Sequence, residues 1–185
     1  MRKIINSTYI TLDGVVEDPH LWPSLGVAAM AASHEIQMEL LNQSDAILMG
    51  RRTFDTFASA WPTRSGDMAD RMNSLQKYVV SNTLREPAWN NTQVLASGAL
   101  EKIRALKEQP GQHIVQYGLG QVSFTLLEQG LIDEVRLWIH PLILGKNGPR
   151  SPHFLDCLTT QFDLLGSRTL PNGVVIVNYA CKRHP

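Results

Sequence analysis

The chain has 185 residues, and the AVILMFWYC set makes up 43% of them, which suits one domain with a sizeable core. Charged residues are 18%, too few for a disordered chain, and seventeen basic residues balance seventeen acidic ones. No global field therefore draws in nucleic acid or an anionic membrane, and any anion binding must be local.

The cysteines, Cys157 and Cys181, lack metal-ligand spacing and read as reduced thiols. His34-Glu35 is not followed by the second histidine of a zinc helix, and the six histidines are scattered, so no metal site is expected. His140, on a strand, reads as structural rather than as a ligand. Met1-Arg2-Lys3 opens the chain without the apolar core of a signal peptide. No apolar stretch is long enough to span a bilayer, so a cytoplasmic protein is expected.

In chain order, residues 4–12 mix β-branched residues with Tyr9 and predict a first strand, ended by Asp13-Gly14. Residues 15–26 contain Asp18-Pro19, Trp22-Pro23 and Gly26 and predict an irregular loop. Residues 28–42 predict a helix, with Met30, Ile36 and Leu40 on one face. Residues 45–50 form a short apolar run ending in glycine, as a buried strand does, and a helix over 51–58 follows at once. Residues 63–73 are polar and predict a surface excursion. Strands follow over 77–80 and 94–96, then a helix over 100–108 broken by Pro110-Gly111. A strand over 113–117 closes on Gly118-Leu119-Gly120, and a helix over 121–129 follows, capped by Gly130. A long strand is predicted over 135–144, and a loop rich in Gly, Pro and basic residues over 145–152. Strands over 162–169 and 174–180 flank the turn Pro171-Asn172-Gly173. The alternation predicts one α/β domain over 1–185, with a mostly parallel sheet, helices on both faces and an antiparallel terminal hairpin.

Open α/β sheets bind ligands beyond the carboxyl ends of their strands, and three ends here suit anions. Gly50-Arg51-Arg52-Thr53 joins a helix N-terminus, which attracts phosphate, to two guanidinium forks. Ser81-Asn82-Thr83 can hydrogen-bond a ribose phosphate or cap a turn. Gly118-Leu119-Gly120-Gln121 lets backbone approach a pyrophosphate, though it is neither a full dinucleotide fingerprint nor a P-loop. A dinucleotide is the simplest ligand that uses all three. With no serine elbow and no metal site, a cofactor would carry the chemistry.

The segments Thr8-Tyr9-Ile10-Thr11-Leu12-Asp13-Gly14, Asp45-Ala46-Ile47-Leu48-Met49-Gly50-Arg51-Arg52-Thr53-Phe54 and Lys77-Tyr78-Val79-Val80-Ser81 resemble the dihydrofolate reductase-like superfamily. The branch they resemble is the C-terminal reductase domain of the riboflavin-biosynthesis deaminase–reductase. Gln116-Tyr117-Gly118-Leu119-Gly120-Gln121, Leu131-Ile132-Asp133-Glu134 and His140-Pro141-Leu142-Ile143-Leu144-Gly145 extend the resemblance over nearly the whole chain.

The resemblance implies a three-layer α/β/α fold that binds NADPH and passes a hydride to a pterin or riboflavin-pathway pyrimidine. It implies that Gly50, Arg51, Arg52 and Thr53 meet the adenosine-side phosphates. Ser81 and Asn82 would lie near the adenine ribose, and Gly118, Leu119, Gly120, Gln121 and Val122 would wrap the pyrophosphate. Asp13 and Trp22 would be pocket residues, and Glu35 and Asp13 the catalytic residues, with Glu35 the acid that holds the substrate's amidine edge. Asn82 stands where dihydrofolate reductases carry a basic residue, so selection of the 2′-phosphate falls on Arg51 and Arg52. Leu119 stands where they carry the second of two paired glycines. The loop over 145–150 suits a substrate phosphate or an ordinary basic turn. A homodimer is expected. The alternative is a module that binds NADP(H) without turnover and acts as a sensor or partner.

Overall fold

The computed structural model describes residues 1–26, 28–145 and 159–182. The loop residues 146–150 and Cys157 therefore lie outside the described residues, as does the side chain of Met30. Two compact units emerge, one of residues 1–4 and 36–117, the other of residues 5–35 and 118–185.

In the first unit the apolar run expected to be a buried strand is one. Strand β2 (Ser44–Gly50) holds Ala46, Ile47, Leu48 and Met49 at no more than 1% exposure. A strand covered on both faces needs side chains that are apolar on both, which explains the unbroken run. Each of the three larger side chains contributes about 2 kcal/mol by leaving water. Strands β3 (Gln76–Val80), β4 (Thr92–Leu95) and β5 (His113–Tyr117) accompany it in the order β4-β3-β2-β5, all parallel. Helices α2 (Arg51–Ala60) and α4 (Ala99–Glu108) bury Phe54, Ile103 and Leu106. Helix α1 (Ala28–Asn42) contributes Ile36, Leu40 and Leu41 to this core.

The polar excursion expected over 63–73 is instead largely helical: α3 spans Asp67–Ser74. Its polar average hides Ala69 and Met72, which lie three apart on one face and are both buried. Asp67 and Asp70 in the first turn complement the helix dipole. Arg71 then ties the helix down by donating to the carbonyls of Leu41 and Ser44, at 3.3 and 2.7 Å. Periodicity over eight residues was too short to show this against so many polar positions.

In the second unit, β1 (Ile4–Thr11) runs parallel to β6 (Glu134–His140). Strand β8 (Val175–Cys181) pairs antiparallel with β6, and β7 (Phe162–Thr169) antiparallel with β8, giving the order β1-β6-β8-β7. The expected hairpin turn is present: Gly173 has φ +86°, and Leu170 N–H bonds the Val174 carbonyl at 2.8 Å. The strand expected over 135–144 stops at His140. Pro141 brings no N–H to a ladder and fixes φ, so the chain turns there, with Leu142 N–H on the His140 carbonyl at 2.8 Å. Helix α5 (Gln121–Glu128) starts at the glycine loop and ends two residues before Gly130, whose φ is +61°.

The fold is thus mixed α/β: mostly parallel strands, an antiparallel C-terminal hairpin and flanking helices. No helix among the described residues is long and apolar enough to cross a membrane.

Candidate functional site

Two helices begin in the same way. Helix α2 follows β2 directly, with Gly50 as its N-cap, no side-chain cap and no acid in its first turn. Helix α5 follows β5 after a short loop, with Gly120 as N-cap, again uncapped and without an acid. The first N–H groups of a helix have no partner within the helix, and the dipole makes that end positive. Both starts therefore suit phosphate oxygens.

On α2, Arg52 is exposed and Thr53 half-buried. Arg51 is engaged within its own helix: its Nε donates to both carboxylate oxygens of Asp55, at 2.8 Å each. That pair lies on the surface and is weak, so a phosphate can compete for the guanidinium. Ser81 is buried, and its hydroxyl accepts from the N–H groups of Thr83 and Leu84 at 3.2 and 3.1 Å. Its visible work is the turn, while Asn82 beside it is exposed.

In the second unit the glycine loop is held by its own carbonyl. Gly118 O accepts from Asn6 Nδ2 at 2.8 Å and from Ser123 Oγ at 2.9 Å. Gly118 has φ +84°, a conformation that glycine takes without cost. Leu119 is buried and anchors the loop, and Gln121 and Val122 open the helix. A Cβ added at Gly120 would meet nothing within 4 Å, so the backbone there faces open space. That opening fits a pyrophosphate in close contact with backbone N–H groups.

Asp13 is exposed but committed. Its carboxylate accepts from Thr11 Oγ1 at 2.5 Å, Gly145 N–H at 2.8 Å and Leu144 N–H at 3.3 Å. The Thr11 hydroxyl first, then the Gly145 amide, hold its carboxyl below the usual range. Asp13 thus stays ionised and ties the loop after β1 to the segment after β6. Glu35 lies exposed on α1.

Trp22 is seated by its indole N–H on the Glu17 carbonyl at 2.9 Å. Its ring meets the His140 ring edge-on, with centroids 5.3 Å apart. Tyr9 lies 4.8 Å from His140 and 5.6 Å from Trp138. Trp138 is buried and donates to Ser7 Oγ at 3.1 Å. Burial pushes the His140 imidazolium toward its neutral form, only partly opposed by the Trp138 carbonyl beside Nδ1.

The family model described as the RibD C-terminal domain matches residues 2–176. The chain belongs to that family. The protein YyaP of Bacillus subtilis (strain 168) is 31% identical over 191 residues, covering 96% of this chain and 94% of YyaP. The fold resembles that of a pyrimidine reductase-like protein from Corynebacterium diphtheriae, with TM-score 0.66 and 13% identity over 99% of this chain and 93% of that one. Acinetobacter baumannii RibD superposes with TM-score 0.62 and 15% identity, over 99% of this chain and 59% of RibD. The dihydrofolate reductase-like, RibD C-terminal branch expected from the motifs is therefore the right one.

Sequence reading of this RibD C-terminal domain missed the grouping of Tyr9, Trp22 and His140. The signal was present in part. Tyr9 and Trp138 are register partners, and His140 follows Trp138 by two, so alternation places all three on one face. Pairing β1 with β6, which no local pattern reveals, was the missing step. Among the described residues no group of three His, Cys, Asp or Glu could hold a metal ion.

Proposed function

We propose that the chain is an NADPH-dependent reductase acting on a small heterocycle of the pterin or riboflavin-pathway pyrimidine type. The observation that carries this reading is the uncapped, acid-free, glycine-led start of α5 in the second unit, where a Cβ at Gly120 would meet open space. Family membership supports it. On the first unit, Gly50, Arg51, Arg52 and Thr53 would hold the adenosine-side phosphates, and Ser81 and Asn82 would lie by the ribose. On the second, residues 118–122 would hold the pyrophosphate, with Gly120 admitting it closely.

Bound NADPH would supply the hydride. The chain's own part is to bind, orient and exclude water. Asp13, ionised and accepting three hydrogen bonds, ties the end of β1 to the segment after β6. Glu35, exposed on α1, would hold the substrate's amidine edge and support its protonation.

Titration with NADPH and NADH, read by fluorescence or calorimetry, tests the reading. NADPH binding tighter than NADH, followed by NADPH oxidation with a dihydropterin or a diaminopyrimidine, is the expected result. Binding of neither nucleotide overturns it. The commitment of Asp13 to three donors favours one rival, a module that binds NADP(H) without turnover. Tight NADPH binding with no oxidation by any candidate would establish that rival. We also propose that the chain forms a homodimer.

A further inference from the structure

The aromatic group at the carboxyl ends of β1 and β6 contains one polar atom that packing does not account for. His140 Nδ1 lies 2.9 Å from the Trp138 carbonyl oxygen. A carbonyl can only accept, so Nδ1 carries the hydrogen, and the neutral ring has its lone pair at Nε2. Burial favours that neutral ring. Among the described residues none donates to Nε2. Among the described residues, Nε2 is not one of the sealed polar atoms that lack a partner, and His140 is half-buried rather than sealed. Tyr9, Trp22 and His140 are each half-buried. The second unit therefore presents an acceptor held at a fixed angle between two aromatic rings.

We infer that His140 is a substrate-binding, specificity-determining group whose Nε2 accepts a hydrogen bond from a ring N–H of a flat heterocycle lying against Tyr9 and Trp22. The inference rests on the reductase reading above and deepens it. It separates heterocycles by their chemistry: those with an N–H at the contacted edge bind, and those alkylated there do not. An imidazole kept in one tautomer and packed on both sides loses little freedom on accepting that bond.

The test uses the full chain and two pteridine probes, lumazine and its N,N-dimethyl derivative, followed by tryptophan quenching in the presence of NADPH. The wild-type protein should prefer lumazine by about tenfold, the discrimination expected of one hydrogen bond to a site built for it. His140→Phe keeps a ring between Tyr9 and Trp22 but removes the acceptor, and should abolish the preference while NADPH affinity stays unchanged. His140→Gln, with an oxygen placed near the Nε2 position, should restore part of it. Equal binding of both probes by the wild-type protein overturns the inference without recourse to a variant. So does a preference that survives in His140→Phe, or NADPH binding with no binding of either probe; in these cases the reductase reading stands. Failure of NADPH itself to bind removes that reading, and the inference with it.

Discussion

Gly118 and Gly120 sit two residues apart, yet the backbone asks different things of them. Gly118 has φ +84°, and its carbonyl takes two side-chain donors, so a larger residue there strains the loop itself. Gly120 has φ −161°, extended backbone that any residue adopts, and open space where a Cβ would go. Gly120→Ala should therefore fold normally and weaken NADPH binding at least about tenfold by blocking close approach of a phosphate. Unchanged affinity by calorimetry would take the glycine loop out of the cofactor site. Asp13 permits a second test at this scale. Its folded carboxyl titrates below the unfolded one, so its contribution is present above the unfolded value and is lost as pH falls through the folded value. Asp13→Ala should speed hydrogen exchange at the Leu144 and Gly145 amides, which donate to it, and leave amides of β2 unaffected. Protection that persists at both amides would show that the carboxylate does not hold that segment.

Between β3 and α3 a buried cation joins two elements. Lys77 is fully buried on β3, donates to the Asn73 carbonyl in the last turn of α3 at 2.6 Å, and lies 4.5 Å from the centre of the Trp89 ring. Trp89 in turn donates to Asn73 Oδ1 at 2.6 Å. An ammonium on helix C-terminal carbonyls is favourable, and the ring face adds to it. Desolvation nevertheless wins, lowering the amine's pKa from 10.5 to about 8. The unfolded chain binds more protons than the folded one between those two values, so this group makes stability rise with pH across that window. Below the folded value both states are protonated and the cost of the buried charge is constant. Urea unfolding at the two ends of the window should show the wild-type protein gaining on Lys77→Met as pH rises. A parallel pH dependence in the two proteins would show that Lys77 is not the group responsible. Here local sequence was a poor guide. The polar stretch upstream of β3 looks like surface, until Ala69, Met72 and the Lys77–Asn73 contact show that it packs.

For the whole molecule, strand β7 stands at the end of its unit's strand order, with Phe162, Leu164 and Leu165 exposed at 37%, 61% and 56%. Edge strands with exposed apolar side chains invite pairing with another chain. Light scattering should report a dimer for the wild-type protein and a monomer for Leu164→Lys combined with Leu165→Glu. A wild-type monomer would remove the dimer from the reading, and a dimer in the variant would move it off β7. The motifs fixed the family and the element order because each is local: a buried parallel strand needs an apolar run, and a glycine is needed where β2 and β5 give way to helices. Helix α1 came out with its expected bounds, 28–42, for the same reason. The end of β6 at Pro141 was also written locally, yet the apolar residues 142–144 beyond it extended the expected strand. What the sequence could not supply was any contact between residues far apart in the chain. Asp13 meets the amides of Leu144 and Gly145, Trp22 meets His140, and Tyr9 finds Trp138 only because β1 and β6 pair in parallel. Local sequence determined which residue types stand at the strand ends, through backbone propensity and side-chain period. Only tertiary pairing decided which of them touch, because register between distant strands is set by burial of the whole sheet face and not by any one segment.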